Sequence, residues 1–150
     1  MALTRKDVGA RLIWAFAGFG IAACAAEIDA VPDVVASRAN SCEIVRVVDG
    51  DTVDISCGGV ADRVRLIGFD TPESFRAQCR SEQRRALAAT QYLSVQIAQA
   101  GDIAFGFQGR DRYDRRLAVM RLDGRDVARI MVAAGHARVY DGGRRQGWCG

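Results

Sequence analysis

The chain has 150 residues, 49% of them hydrophobic and 26% charged, proportions that are ordinary for a globular core. This length indicates one domain with a tail. The formal net charge of +3 at pH 7 is too small to favour or exclude a polyanionic partner. Lys6 is the only lysine, so we expect cationic phosphate contacts in the folded domain to come from arginine, whose guanidinium can donate two parallel hydrogen bonds.

Residues 1–26 predict a targeting segment. Three basic residues, at positions 5, 6 and 11, precede an uncharged run over residues 12–26. That run is shorter than the ~20 apolar residues that usually span a membrane. A basic stretch, an apolar stretch and small residues, in that order, are typical of a secretory signal peptide. We therefore expect an exported protein that is periplasmic, secreted or lipid-anchored to the cell envelope.

Cys24 leaves the fate of this segment open. Ile21-Ala22-Ala23-Cys24 is similar to a bacterial lipobox, in which the cysteine is lipidated and becomes the new N-terminus. Cleavage at the small residues Ala23-Cys24-Ala25 would instead remove Cys24. An uncleaved membrane anchor is the third alternative.

Residues 27–41 contain Pro32 and several alanines in no clear period, which indicates a linker. The predicted domain therefore covers residues 42–150. Apart from Cys24 the chain has four cysteines, and an even number in an exported domain is typical of two disulfides. They are Cys42, Cys57, Cys79 and Cys149.

The start of the domain predicts a β-hairpin. Two β-rich runs, residues 42–48 and 52–57, flank Asp49-Gly50, a dipeptide typical of a two-residue type I′ turn. Cross-strand partners in a hydrogen-bonded pair have Cα atoms ~5.5 Å apart, within the range for a disulfide. This register pairs Arg46 with Val53, Ile44 with Ile55 and Cys42 with Cys57. It predicts the disulfide Cys42–Cys57 and, by exclusion, Cys79–Cys149.

The rest of the domain predicts further strands and two helices. Strands are expected over residues 62–67, 103–107 and 117–122, helices over about 81–98 and 125–134, and a last extended segment over 137–140. The first helix carries an apolar stripe at helical spacing, Ala86, Ala89, Leu93 and Ile97. Five short strands with a helix after the third predict an α+β domain built on a five-stranded OB-fold β-barrel, with Cys149 pinning a polar tail.

Acidic and arginine side chains concentrate in three short segments, at residues 49–52, 64–73 and 111–115. Carboxylate and carbonyl oxygens are the ligands of hard cations such as Ca²⁺ and Mg²⁺, and Asp51 and Asp70 each lie at a strand end beside a turn. Glu73 follows three residues after Asp70, and Arg65 and Arg115 are candidate phosphate ligands. Together these groups predict metal-dependent hydrolysis of a phosphodiester, which needs charge neutralisation and an activated water.

Each segment also has a purely structural explanation. Asp49-Gly50 is a common turn. Asp70 with Glu73 three residues later is typical of the start of a helix, where Asp is the N-cap. Residues 111–116 would ordinarily form a solvated turn. His136, the only histidine, follows Gly135 at a predicted helix end and is expected to be a surface or boundary residue.

Together and in this order, the three segments resemble the signature segments of the staphylococcal nuclease family, with similarity from about residue 44 to residue 139. The resemblance implies an OB barrel with helices that binds one Ca²⁺ and cleaves DNA and RNA. It also implies a role for each matching position. Asp51 and Asp70 would bind Ca²⁺ through their side chains and Thr71 through its carbonyl, and Glu73 would be the general base or water-orienting group. Arg65 and Arg115 would bind the scissile phosphate. Arg112 and Tyr113 would contact the neighbouring phosphate, and Leu117 would line a base pocket.

The end of the domain departs from the long members of that family, which continue into a third helix after the last strand. Here residues 144–149 follow instead, so the chain resembles the shorter bacterial members and a disulfide would replace the helix as a clamp. Tyr140 lies near the position of the base-stacking tyrosines but out of step with them.

Three functions remain as alternatives at this point. The first is an exported, monomeric Ca²⁺-dependent nuclease acting on DNA, RNA or both, with possible membrane attachment through its N-terminal segment. The second is a non-catalytic OB module that binds nucleic acid through basic grooves and aromatic side chains. The third is a structural envelope domain on a lipid anchor, in which the carboxylates only cap turns.

Overall fold

The computed structural model describes residues 42–149. The predicted targeting segment with Cys24 and the predicted linker lie outside the described residues. The elements are β1 (Cys42–Asp49), β2 (Thr52–Cys57), β3 (Val60–Leu66), β4 (Gly68–Asp70), α1 (Arg80–Gln99), β5 (Ile103–Arg110), β6 (Arg116–Leu122), β7 (Arg125–Asp126), α2 (Val127–Ala133) and β8 (Arg138–Tyr140). In this part of the chain, no helix is both long enough and apolar enough to span a membrane.

The main sheet has the strand order β1-β2-β3-β6-β5, with β7 added to β6. Strand β6 runs parallel to β3 and every other pair is antiparallel. Strands β4 and β8 form a second, two-stranded sheet in which Asp70 pairs with Arg138. The α+β class and the OB-like order agree with the prediction.

The predicted barrel is not closed by backbone pairing, since no ladder joins β1 to β5 within residues 42–149. Both edge strands carry bulges, which interrupt a ladder and increase its twist. Between β1 and β5 lies a cavity instead, which Cys42 and Cys57 line together with Ile103 and Phe105 of β5.

The β1–β2 hairpin corrects the predicted turn. Asp49 pairs with Thr52, so the turn is Gly50-Asp51 and not Asp49-Gly50, and Arg46 lies opposite Asp54 and not Val53. Two register shifts in β1 each insert one extra residue, which restores the predicted pairing of Ile44 with Ile55. The disulfide Cys42–Cys57 therefore forms as predicted, with its Cα atoms 4.1 Å apart.

Helix α1 packs its predicted stripe into the core, with Ala86, Ala89 and Leu93 fully buried and Ile97 partly buried. Burial of a leucine side chain contributes ~1.5–3 kcal/mol, so this face orients the helix. The N-cap of α1 is Cys79, which is bonded to Cys149 as predicted.

The structural alternative that placed a helix start at Asp70 is wrong. Helix α1 begins ten residues downstream, at Arg80. Asp70 ends strand β4 instead, and its carboxylate faces side chains from other parts of the chain, as described below.

Helix α2 begins two residues later than predicted because β7 occupies Arg125–Asp126. Asp126 is its N-cap, and the carboxylate accepts a hydrogen bond of 2.8 Å from the Ala128 N–H. His136 follows the helix and is half-buried against Tyr92, with ring centroids 4.6 Å apart. It is the boundary residue that was predicted.

Candidate active site

The site forms where the β1–β2 turn, strand β3 and the end of β4 meet. Thr52 lies opposite Arg65 across β2 and β3, and the Leu66 N–H donates to the Asp51 carbonyl at 2.8 Å. The turn also lies close to α1, because a Cβ on Gly50 would come within 2.9 Å of the Ala89 Cβ. Only glycine therefore lets this turn approach the helix so closely.

Two buried carboxylates share one guanidinium at the centre of the site. Asp51, Asp70 and Arg65 are 2%, 6% and 8% exposed. An Arg65 Nη1–Asp51 Oδ1 ion pair joins strand β3 to the β1–β2 turn, and Arg65 Nη2 lies 3.6 Å from Asp70 Oδ1. The structure thus brings together three of the predicted site residues.

Asp51 is further held by two hydroxyls. Thr71 Oγ1 donates to Asp51 Oδ2 at 2.9 Å, and Thr52 Oγ1 donates to Asp51 Oδ1 at 3.1 Å. Burial raises the pKa of Asp51 to about 7, with Arg65 lowering it and the nearby Asp49 raising it. The positive charge of Arg65 therefore does not fully compensate for the burial of the Asp51 carboxylate.

Asp70 Oδ1 lies near guanidinium groups but accepts no hydrogen bond. Of the buried side-chain nitrogen and oxygen atoms described, Asp70 Oδ1 is the one without a hydrogen-bond partner. A buried carboxylate oxygen is stabilised by a cation or a hydrogen bond, and hard cations accept carboxylate and carbonyl oxygens. Asp51, Asp70 and the adjoining Thr71 therefore form a donor set that fits such a cation.

Glu73 and Arg145 form the outer edge of the acidic cluster. The Glu73 side chain is 50% exposed, and Arg145 Nη1 lies 2.7 Å from its Oε1. Arg145 Nε lies 3.1 Å from Asp70 Oδ1. Burial lowers the pKa of Arg145, but the negative charges of Asp70, Asp51 and Glu73 outweigh it and raise the pKa above its ordinary value. Sequence reasoning assigned no role to Arg145.

Trp148 is the second residue that sequence reasoning missed. Its ring is buried, and the indole N–H donates to Asp70 Oδ2 at 3.3 Å. The Arg138 guanidinium lies over the ring, 3.9 Å from its centroid. The one available signal was Cys149, because a disulfide at that position brings its neighbours to the start of α1.

Arg115, the other candidate phosphate ligand, is held in place by Asp111. Its Nη2 and Nε lie 2.7 and 2.8 Å from Asp111 Oδ2, while Asp111 Oδ1 accepts the backbone N–H groups of Tyr113 and Arg115. Burial raises the pKa of Asp111, but these hydrogen bonds outweigh it and lower the pKa below its usual value. Residues 111–115 are thus an ordered turn that presents a guanidinium.

Arg112 and Tyr113 extend from the same turn into solvent. Arg112 Nη2 donates to the Tyr113 hydroxyl at 2.8 Å, and its guanidinium lies 4.8 Å from the ring centroid. Tyr113 is 65% exposed. An exposed ring beside arginines is a surface that fits a nucleic-acid strand.

These groups border one cleft of about 990 Å³, which we call the central cleft. Its lining includes Arg65, Glu73, Arg112, Tyr113, Arg115 and Arg145. Asp51 and Asp70 do not line it themselves, but both form ion pairs with Arg65, which does. Leu117, predicted to line a base pocket, lines an adjoining apolar pocket with Phe69 and Val139. A separate cleft beside α2 is lined by none of the predicted site residues.

The fold and the cleft define an α+β, OB-like protein whose buried acidic pair is bordered by guanidinium groups. Residues 63–147 match the family described as Staphylococcal nuclease homologue. That match covers more than half of the chain, and the chain belongs to this family. The predicted family resemblance is confirmed.

Several curated relatives are similar to the chain. An uncharacterized endonuclease of Escherichia coli O157:H7 is 36% identical over 101 residues, which are 65% of this chain and 60% of that protein. The thermonuclease of Staphylococcus intermedius is 35% identical over 57% of this chain and 51% of its own length. The micrococcal nuclease of Shigella flexneri is 35% identical over 52% of this chain and 40% of its own length. The chain thus spans between two fifths and three fifths of these relatives.

Proposed function

We propose that the protein is a Ca²⁺-dependent nuclease that hydrolyses phosphodiester bonds of DNA, RNA or both. The observation that carries this proposal is a single cleft lined by Glu73, Arg65 and Arg115. There Arg65 also forms ion pairs with the two buried carboxylates, Asp51 and Asp70. Membership of the family and relatives named as nucleases support it.

Asp51, Asp70 and the carbonyl of Thr71 would hold the cation. Asp70 Oδ1, which accepts no hydrogen bond, and the raised pKa of Asp51 both favour a positive ion at this position. When bound, Ca²⁺ supplies charge neutralisation at the phosphoryl oxygens.

The chain's own groups would perform the remaining steps. Glu73 orients a water and takes its proton while the water oxygen bonds to phosphorus and the bond to the leaving oxygen breaks. Arg65 and Arg115 bind the non-bridging oxygens as negative charge develops. Arg115 also donates a hydrogen bond to the leaving oxygen, which takes up a proton from solvent as it departs. Arg112 and Tyr113 bind the next phosphate along the strand.

We also propose that the protein is exported and monomeric, with periplasmic, secreted and lipid-anchored forms as alternatives. Two disulfides support an oxidising compartment, because such bonds are rare in cytosolic proteins. The distribution of the protein between culture medium, periplasm and membrane fractions tests this proposal.

The decisive experiment is hydrolysis of single-stranded DNA by the oxidised protein, with Ca²⁺ and with chelator, beside Glu73→Gln. We expect cleavage that needs Ca²⁺ and falls at least ~100-fold in Glu73→Gln, the scale of general base catalysis. Glu43→Gln is the matched control, since Glu43 is exposed on β1, away from the cleft. Binding of DNA without cleavage under every metal tried would contradict the enzyme and favour the non-catalytic module.

A further inference from the structure

Arg145 lies between the two acidic groups on which the proposed chemistry depends. Its Nε faces Asp70 Oδ1 at 3.1 Å and its Nη1 faces Glu73 Oε1 at 2.7 Å. The side chain is 38% exposed and lines both the central cleft and the adjoining apolar pocket. It is therefore within reach of anything bound in the cleft.

The segment that carries Arg145 is held firmly on both sides. Upstream, the Tyr140 hydroxyl donates to the Gly143 carbonyl at 2.8 Å. Downstream, Arg138 donates to the Gly147 carbonyl at 3.0 Å, and the disulfide Cys79–Cys149 ties the end to α1. A loose cationic tail would be a poor specific ligand, whereas an anchored guanidinium is pre-organised for one.

The contacts of Arg145 conflict with the role proposed for Glu73. Arg145 Nη1 donates a hydrogen bond to Glu73 Oε1, an oxygen that would otherwise accept one from the attacking water. A phosphodiester in the cleft offers the same guanidinium an anionic partner, to which arginine binds with two parallel hydrogen bonds. Exchange of partners would release Glu73 at the moment when substrate is present.

We propose that Arg145 is a further substrate-binding residue of this site. In this structure it is the counter-ion of Asp70 and Glu73, and with substrate bound it moves to a non-bridging phosphate oxygen. The inference rests on the proposed nuclease function and deepens it, because it adds a third guanidinium to Arg65 and Arg115. The alternative is a structural clip that only holds the tail against β4.

The test compares Arg145→Ala with Arg144→Ala in the full oxidised chain. The two variants lose the same charge from adjacent exposed positions, but Arg144 does not line the central cleft. We expect the KM for single-stranded DNA to rise ~10-fold in Arg145→Ala, the effect of one lost charge-assisted hydrogen bond, and to stay near wild type in Arg144→Ala. Arg145→Lys keeps the charge without the planar fork and should fall between them.

A second readout needs no catalysis. Calorimetric titration with Ca²⁺ alone should show tighter binding in Arg145→Ala than in Arg144→Ala, because a competing cation beside Asp70 has been removed. Binding of a labelled oligonucleotide in chelator should be weaker in Arg145→Ala. A structural clip would instead lower the Tm and leave both affinities equal to those of Arg144→Ala.

The outcomes separate this inference from the proposed function. Cleavage by wild type with equal KM, Ca²⁺ affinity and oligonucleotide affinity in the two alanine variants would overturn the role of Arg145 and leave the nuclease standing. Failure of wild type to cleave would contradict the nuclease. In that case the oligonucleotide affinities test whether Arg145 binds the substrate. Weaker binding in Arg145→Ala than in Arg144→Ala supports this role, and equal binding overturns it.

Discussion

Individual carboxylates of this domain lie in opposite electrostatic environments. Burial raises the pKa of Asp51 to about 7. Three residues away, hydrogen bonds from Arg63 and then Arg46 lower the pKa of Asp54 to about 2, and these outweigh its partial burial. The Arg63 Nε–Asp54 Oδ1 distance is 2.7 Å. The first carboxylate is suited to binding a cation, whereas the second already has its partners and stabilises the β1–β2–β3 surface.

At this scale we predict how Asp54 contributes to stability at different pH values. Its folded pKa is about 2 against an ordinary value of 3.8, so the stabilisation is fully present above pH 3.8 and is lost as the pH falls toward 2. Because the pair is partly solvated, we expect Asp54→Asn to lower the free energy of unfolding by only ~1–2 kcal/mol at pH 7. Urea unfolding of both proteins from pH 7 to pH 2 measures this.

The difference between wild type and Asp54→Asn should shrink below about pH 4, since wild-type Asp54 then becomes neutral as well. Asp102→Asn is the control for loss of an exposed charge. A difference that is the same at every pH would show that the ion pairs with Arg63 and Arg46 do not stabilise the domain.

Among the elements, the segment after β8 behaves unlike an ordinary terminal tail. Residues 141–149 contain no helix or strand, yet Trp148 is 7% exposed and contacts Asp70. Its order comes from tertiary contacts and from the disulfide to Cys79, the N-cap of α1. The tail therefore contributes a wall to the candidate site without having regular structure of its own.

We predict that the two disulfides differ in their effect on activity. Replacing Cys79 and Cys149 by serine removes a link between positions 70 residues apart and should lower the free energy of unfolding by ~2–5 kcal/mol. It should also raise the KM for DNA, because Arg145 is no longer anchored. Denaturant unfolding and steady-state kinetics on the folded protein measure the two effects.

The matched control is replacement of Cys42 and Cys57, which lie 15 residues apart at the far end of the hairpin from the turn that carries Asp51. That variant should lose stability but keep its KM. Equal KM values in the two double variants would show that the tail does not need its disulfide to form the site.

For the whole molecule, the site depends on the complete fold. Asp51 comes from the first hairpin, Asp70 from the second sheet and Arg145 from the tail, and the core residues Phe69 and Leu66 hold the intervening backbone. A cation bound by both carboxylates would bind the folded chain and not the unfolded one. Cation binding and folding must then be linked.

We therefore predict that Ca²⁺ raises the Tm. A Ca²⁺ concentration 100-fold above its Kd would stabilise the fold by ~2.7 kcal/mol, or roughly 10 °C or more for a domain of about 100 residues. Asp70→Asn should abolish the shift, and Asp141→Asn, an exposed tail residue, should keep it. Identical melting curves of wild type in Ca²⁺ and in chelator would contradict the metal site. Thermal denaturation followed by circular dichroism is sufficient.

Much of this architecture was predictable because its signals are local. The α1 stripe follows from helical spacing, and the convergence of Asp51, Arg65 and Asp70 follows from two motifs beside strand ends. The hairpin shows the limit of such reasoning. The disulfide Cys42–Cys57 was predicted correctly from a turn placed one residue too early, because two bulges in β1 restored the register at its far end.

The amino-acid sequence alone predicted the family, the two disulfides, the main elements and a set of acidic and arginine groups for the site. Each of these rests on patterns within a few residues or on counting cysteines. Only the tertiary structure placed Arg145 and Trp148 against Asp70, more than 70 residues away, and replaced the predicted helix cap at Asp70 by these contacts. No local pattern encodes that contact, because it depends on the pairing of β4 with β8 and on the disulfide at the end of the tail.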